Sequence, residues 1–356
     1  MSKTVSGPAV VQTSYSGAGI VKPRLLREKM VLGESPIVYF VQTPHCGIAA
    51  LEDEFIKRSG SIHRLYSFFD IKKGVASATK AIQGSLDKGC RVFLDSGAFA
   101  FQGRWLKPTH GKIGRYDLLE PNADARVKFQ EDYIKYVLKY GKRFDCVANF
   151  DWRRQSNLVY DIQKELESKG IAPLPTIHGD DGTDWLKRYI DEGYKFIAVG
   201  RGGRRNRNKI ISYLDKIFNA HDKIGKGVFL HGFAMTDFEI MMRFPWYSCD
   251  SSTWIRAGAT GSIFVVHDGT LQMVHVSNRQ SQYGGSKNHE QKWVKEIVNA
   301  QNFDFDKMKY WGEDKEAKRA AWIERLMYNM WSVNNFKKQG LKSTGGNTWG
   351  SLLGKR

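Results

Sequence analysis

A chain of 356 residues, 41% hydrophobic and 13% aromatic, can bury a large core and has the composition of a folded globular protein. Its 55 Lys+Arg against 37 Asp+Glu leave a formal charge of +18, which favours a polyanionic partner because neutralising phosphates releases condensed counterions. No apolar run approaches the roughly 18 residues of a membrane span, and no signal-peptide core is visible at the N-terminus. The four cysteines, Cys46, Cys90, Cys146 and Cys249, have neither metal-ligand spacing nor a disulfide pattern, so buried thiols in a reducing cytoplasm are expected.

Residues 1–35 show no clear periodicity and read as an N-terminal extension. From residue 36, short apolar runs alternate with longer helical stretches. The runs are Ile37–Gln42, Leu65–Phe69, Val92–Leu94, Cys146–Phe150, Leu174–Ile177, Phe196–Val199, Val228–Leu230 and Trp246–Cys249. Helices are expected at 72–89, 122–141, 155–170, 182–193, 206–222 and 236–243, the second with Val127, Ile134, Val137 and Leu138 on its apolar face. Continuous apolar strands separated by helices imply a parallel sheet covered on both faces, and this many runs closes a (β/α)8 TIM barrel over residues 36–258. An open doubly wound sheet is the alternative, because Leu65–Phe69 is the weakest strand. An extension at 259–343 is expected to hold a hairpin, with Ser262–His267 and Leu271–Val276 around Asp268-Gly269, and helices near His289–Ala300 and Lys315–Asn334. The tail 344–356 reads as mobile. The long segment Gln102–Leu119 reads as an active-site loop.

The barrel is favoured by where the polar residues fall. Six successive runs end in Asp95-Ser-Gly, Asp151, His178-Gly, Gly200-Arg-Gly-Gly, His231-Gly and Asp250, and barrel enzymes place their chemistry at the C-terminal ends of the strands. Three of these ends deliver a carboxylate, and we expect Asp95, Asp151 and Asp250 to meet. Each could instead cap the following helix, as Asp250-Ser251-Ser252 is well composed to do. His231 reads as a satisfied buried histidine, and Asp180-Asp181 as a turn before a helix starting at Thr183 rather than a metal pair.

Five of these segments resemble, in order, the motifs of tRNA-guanine transglycosylases. Leu94-Asp-Ser-Gly-Ala-Phe99 resembles their Asp-Ser-Gly-Gly-Phe segment, Phe150-Asp151 their base-recognition Phe-Asp, and His178-Gly179 stands where they carry Gln-Gly. Val199-Gly-Arg-Gly-Gly203 resembles their Gly-Gly motif and Ser248-Cys-Asp250 their nucleophile strand. The resemblance spans residues 36–255. It departs where the family carries a zinc-binding Cys-x-Cys-x-x-Cys cluster, since no cysteine follows Cys249, and where Arg153 replaces a cysteine. Such departures are similar to the phage and bacterial branch that inserts 7-deazaguanine bases into DNA.

The resemblance implies a base-exchange glycosyltransferase that replaces guanine in DNA with a 7-deazaguanine derivative such as the 7-cyano compound. The same exchange on tRNA, or a degenerate barrel that binds nucleic acid without catalysis, are the alternatives. Breaking the C1′–N9 bond passes through an oxocarbenium-like transition state that suits two carboxylates. Asp250 would be the nucleophile holding the sugar covalently, and Asp95 the general acid/base. Asp151, His178, Gly179, Gly200, Arg201, Gly202, Ser96 and Phe99 would bind the base. Arg153, Arg154, Arg204, Arg205, Arg207, Lys209, Arg104 and Lys107 would grip the nucleic acid, and Phe99, Phe101, Trp105 and Trp152 are candidates either to stack on a flipped base or fill its vacancy, or equally to belong to the core. The expected partners are DNA, or alternatively tRNA, and a free 7-deazaguanine base as co-substrate. Neither a metal nor another cofactor is expected, nor is a membrane, and a homodimer is compatible with the chain.

Overall fold

The computed structural model describes residues 36–42, 54–56, 62–103, 106–108, 116–118, 123–152, 155–179, 182–200, 207–225, 227–277 and 292–335. The expected N-terminal extension and mobile tail lie outside them. By internal contacts the chain forms two compact units, one of Met1–Gly47, His63–Phe233 and Trp246–Cys249, the other of Ile48–Ile62, Ala234–Pro245 and Asp250–Arg356.

The sheet holds β1 (Ile37–Gln42), β2 (His63–Ser67), β3 (Arg91–Asp95), β6 (Cys146–Val147), β7 (Thr176–His178), β8 (Phe196–Gly200), β9 (Phe229–Phe233) and β10 (Ser248–Ser251). The short strands β4 (Leu106–Pro108) and β5 (Tyr116–Leu118) form a separate antiparallel ribbon inside the segment expected as a loop. The eight sheet strands lie in the order β6-β3-β2-β1-β10-β9-β8-β7. Between the ends of that order, Ala148 bridges Leu174 in parallel, Leu174 N donates to Val147 O at 2.7 Å, and Asn149 N donates to Leu174 O at 3.0 Å. Neighbours in space are therefore neighbours in sequence all the way round, which is the topology of a (β/α)8 barrel. The open-sheet alternative is excluded.

Strand alternation sorts the side chains. Tyr39, Leu65, Phe93, Cys146, Ala148, Leu174, Phe196, Ala198, Phe229 and Tyr247 form one buried cluster, the barrel interior. Val92, Leu94 and Val147 point the other way, into a cluster with α1 (Phe68–Ile71), α2 (Val75–Asp87), α4 (Ala123–Tyr140) and α5 (Ser156–Ser168). The apolar face of α4 is not the expected one. Ile134 and Val137 are buried, but Val127 and Leu138 are 44% and 47% exposed, and the packing is carried by Phe129, Tyr133 and Tyr136. Aromatic rings reach from positions that aliphatic periodicity passes over; Phe68, for example, lies 5.3 to 5.4 Å from all three. The weak second strand is real but starts earlier, at His63, and ends where Phe68 opens α1.

Burial also holds His63 low, to about 4 from an ordinary 6.5, with Arg91 adding to the effect. Between those values the unfolded chain takes a proton that the folded chain refuses, so stability falls as pH drops from 6.5 towards 4. The loss approaches roughly 3 kcal/mol at about 1.4 kcal/mol per pH unit. Urea midpoints recorded from pH 7 to pH 4 should show this slope, and His63→Leu should flatten it.

The second unit contains α8 (Phe238–Arg243), α9 (Thr253–Ala259), the hairpin β11 (Ser262–His267) and β12 (Thr270–His275), α10 (Lys292–Ala300), α11 (Phe305–Met308) and α12 (Lys315–Asn334). Asp268 and Gly269 turn the hairpin with φ of 51° and 74°, the left-handed pair that a two-residue connection needs. Fully buried Asn329 knits α12 to its neighbours: Oδ1 accepts from Phe264 N, while Nδ2 donates to Trp254 O and Ser262 O. Arg325, also buried, donates to Gly258 O and Met308 O. Among the described residues no helix is long and apolar enough to cross a membrane.

Candidate functional site

The C-terminal rim of the barrel collects the expected chemistry of the first unit. Asp95 is the last residue of β3, two positions beyond the interior Phe93 and in register with Ser67. His178 ends β7 and pairs in register with Gly200, which ends β8 two residues beyond the interior Ala198. The same alternation therefore turns Asp95, His178 and Gly200 inward, above the apolar layer.

His178 Nε2 lies 3.2 Å from Asp151 Oδ2, both side chains being largely buried. Gly200 lies directly beneath the imidazole: a Cβ built there would run into Nδ1 and Cε1 of His178. The glycine is thus a close-approach residue whose absent side chain lets the ring lie between strand β8 and the carboxylate. Tyr133, on α4, is buried within electrostatic range of Asp95 and Asp151. Its hydroxyl donates to Ala148 O at 2.6 Å, and its ionisation is pushed well up by burial first, then by the nearby charges of Asp95, Cys146 and Asp151. Neither periodicity nor motif spacing marks Tyr133.

The Asp-Ser-Gly turn is built locally. Asp95 Oδ2 accepts from Gly97 N at 3.0 Å and Ser96 Oγ accepts from Ala98 N at 3.2 Å, opening α3 (Ala98–Gly103). Ser96 is buried, so its described role is to shape the turn. Phe99 is 57% exposed on α3, available to a ligand. Two aromatics expected as stacking candidates belong to the core instead. Phe101 stacks on Phe129 with centroids 4.4 Å apart, and Trp152, 1% exposed, lies parallel to Phe150.

In the second unit Asp250, third residue of β10, is 6% exposed and its Oδ1 accepts from Ala234 N at 3.2 Å. Ala234 holds a left-handed φ of 57°, which turns its N–H to the carboxylate. The helix-capping alternative does not apply: Ser252 is the N-cap of α9 and no side chain caps it. Nor does Asp151 cap α5, whose N-cap is Gln155.

Gly179 follows His178 in a turn, and Thr183 is the N-cap of α6 (Asp184–Asp191), as expected. Arg207 and Lys209 are exposed in the first turn of α7 (Arg207–Ile224). Arg104, Arg153, Arg154, Arg201, Gly202, Arg204, Arg205 and Trp105 lie outside the described residues, and Lys107 is described only as backbone of β4. His231 is fully buried in the barrel interior with Nδ1 2.8 Å from Ser248 Oγ, a structural histidine as read from the sequence. Cys90, Cys146 and Cys249 are buried free thiols, and among the described residues no cluster of three or more His, Cys, Asp or Glu could hold a metal ion.

No family model matches the chain, and no curated protein matches it by sequence. Among solved structures, the L-Ala-D/L-Glu epimerase from Bacillus subtilis is 12% identical over 68% of this chain and 62% of its own length, with a TM-score of 0.38. A Coccidioides immitis protein named as a fructose-1,6-biphosphate aldolase is 11% identical over 87% of this chain and 92% of its own, with a TM-score of 0.43. The maltogenic α-amylase AmyB from Thermotoga neapolitana is 11% identical over 64% of each chain, with a TM-score of 0.28. The chain thus spans less than two thirds of the epimerase and of the amylase. These likenesses carry nothing about chemistry, and the barrel rests on its own strand order.

Proposed function

We propose that the protein is an enzyme that exchanges guanine in DNA for a 7-deazaguanine base by double displacement. The observation that carries this reading is the Asp151–His178 pair over Gly200. A guanine-like edge presents two donors, N1–H and the exocyclic amine, beside one acceptor, the carbonyl oxygen. A carboxylate accepts from both donors and an imidazole N–H donates to the carbonyl, while adenine offers no such pattern. The missing side chain at position 200 makes room for the imidazole that would donate to that carbonyl.

The resemblance of their segments to the transglycosylase motifs gives Asp95 and Asp250 the two carboxylate roles of the displacement. Asp250 attacks C1′ as the guanine leaves, Asp95 gives the departing base its proton, and the incoming base returns that proton to Asp95 before its nitrogen attacks C1′ and releases Asp250. The Gly97 N–H on Asp95 Oδ2 fixes the orientation of the proton carrier. Exposed Arg207 and Lys209, and the +18 charge, suit a polyanionic substrate. The target base must leave its stack, which costs a few kcal/mol that phosphate contacts offset.

Labelled guanine offered with duplex DNA, single-stranded DNA and tRNA tests the reading, and incorporation into DNA is expected. Incorporation into tRNA alone would move the substrate to RNA, and incorporation into neither would leave a binding barrel. Gly200→Ala should weaken use of the incoming base by about 10-fold or more, as displacing His178 forfeits a hydrogen bond to the base worth roughly 1–3 kcal/mol. The loss should appear in KM for the base with little change in thermal stability.

A further inference from the structure

A cleft of about 580 Å³ opens beside the rim, between the turn after β7 and the outer face of α7. Gly179, Thr183, Lys209, Ser212 and Lys216 line it, and the buried ring of Tyr213 helps to floor it. Lys209, Ser212 and Lys216 are exposed and stand three and four residues apart, on one face of the helix. No carboxylate is among the described residues that line the cleft. Lys209 and Lys216 bring two ammonium groups to the cleft, Ser212 and Thr183 bring hydroxyls, and Gly179 joins it to His178.

We propose that this cleft holds phosphodiester groups of the polynucleotide, with Lys209 and Lys216 on successive phosphates and Ser212 and Thr183 donating to their oxygens. This deepens the reading of the chain as a nucleic-acid enzyme and rests on it. Two considerations favour a polymer over a lone anion. The lysines are separated by about 10 Å along the helix axis, at roughly 1.5 Å per residue. The volume lies in the range of about 300–1,000 Å³ typical of sites for ligands far larger than one phosphate. The proximity of Gly179 to the base-reading histidine places a gripped backbone next to the position where a flipped base would enter.

The test compares the full-length protein with Lys209→Gln/Lys216→Gln and with Lys128→Gln/Lys135→Gln, which removes two exposed lysines at the same spacing on α4. Binding of a labelled single-stranded oligodeoxynucleotide is followed across a salt series. The cleft variant should lose about 1.4 from the log–log salt slope, at roughly 0.7 per phosphate contact on a single strand. The α4 variant should keep the wild-type slope, and both should melt as the wild type does. Equal slopes in the cleft variant and the wild type, or equal losses in both variants, would overturn the proposal. Inorganic phosphate and a mononucleotide serve as competitors, and displacement of the oligonucleotide by either at comparable phosphate concentration would make this a free-phosphate site instead. The base-exchange assay separates the two claims. Exchange with an unchanged slope refutes the cleft alone, whereas a lost slope without exchange in any protein refutes the exchange reading alone.

Discussion

Asp250→Asn is expected to lower base exchange by roughly four orders of magnitude or more, the scale of losing a catalytic nucleophile. The amide keeps the shape of the carboxylate and can still accept from Ala234 N through its carbonyl oxygen, so the fold should be retained. It cannot attack C1′. The covalent protein–DNA adduct that wild-type protein forms when the incoming base is withheld should vanish together with turnover. Denaturing gels of protein incubated with DNA report the adduct, and thermal melting reports the fold. Full turnover in this variant would remove Asp250 from the mechanism, and loss of the adduct with a collapsed melting transition would be a folding effect.

Gly97→Ala should produce the largest loss of stability. Gly97 sits at φ 73°, and a Cβ there would lie 2.6 Å from both Cβ and N of Phe69 and 2.7 Å from Ser67 Oγ. The close atoms include backbone at the junction of β2 and α1, so no rotamer change relieves the clash. Left-handed strain and forced backbone movement together should cost about 3 kcal/mol or more. For a chain of 356 residues, with an unfolding entropy of about 2.1 cal/mol/K per residue, that is a fall in melting temperature of roughly 4 °C or more. Because Gly97 N donates to Asp95 Oδ2, exchange activity should fall as well, even at temperatures where the variant is folded.

Much of this architecture was legible in the sequence, for identifiable reasons. Parallel strands buried on both faces read as continuous apolar runs, so each of the eight was located, though Leu65–Phe69 and Trp246–Cys249 were displaced by about two residues from the observed His63–Ser67 and Ser248–Ser251. The hairpin was legible because Asp268-Gly269 needs left-handed backbone. Helix α12 was found with its observed limits, Lys315 to Asn334. What escaped was set by tertiary contact. The buried face of α4 is aromatic, so aliphatic spacing pointed to the exposed Val127 and Leu138. The β4–β5 ribbon is too short to leave a periodic signal.

The candidate site divides in the same way. Strand-end position identified Asp95, His178 and Gly200, because the pleat dictates which residues emerge at the rim. The 3.2 Å pairing of Asp151, in the segment after β6, with His178 at the end of β7 joins residues far apart in the chain and could not be read from spacing. Tyr133 was invisible, since a tyrosine in an amphipathic helix looks like core until its neighbours are known. The lysine face of α7 was legible in part: Lys209 was expected to grip nucleic acid, whereas Ser212 and Lys216, three and seven residues on, stand outside the arginine-rich run that marked it. Aromatic residues were the least legible: Trp152 and Phe101 pack inward, whereas Phe99 faces out.

The central claim is exchange of a base in DNA through Asp250. Its most direct measurement is mass analysis of nucleosides from the DNA and the tRNA of cells that express the protein with a supply of 7-deazaguanine base, alongside cells expressing Asp250→Asn. The account predicts a 7-deazaguanine deoxynucleoside in DNA from the wild type, none in DNA from the variant, and no difference between the tRNA pools. Unmodified DNA from wild-type cells that hold folded protein, or equal modification with the variant, would contradict it.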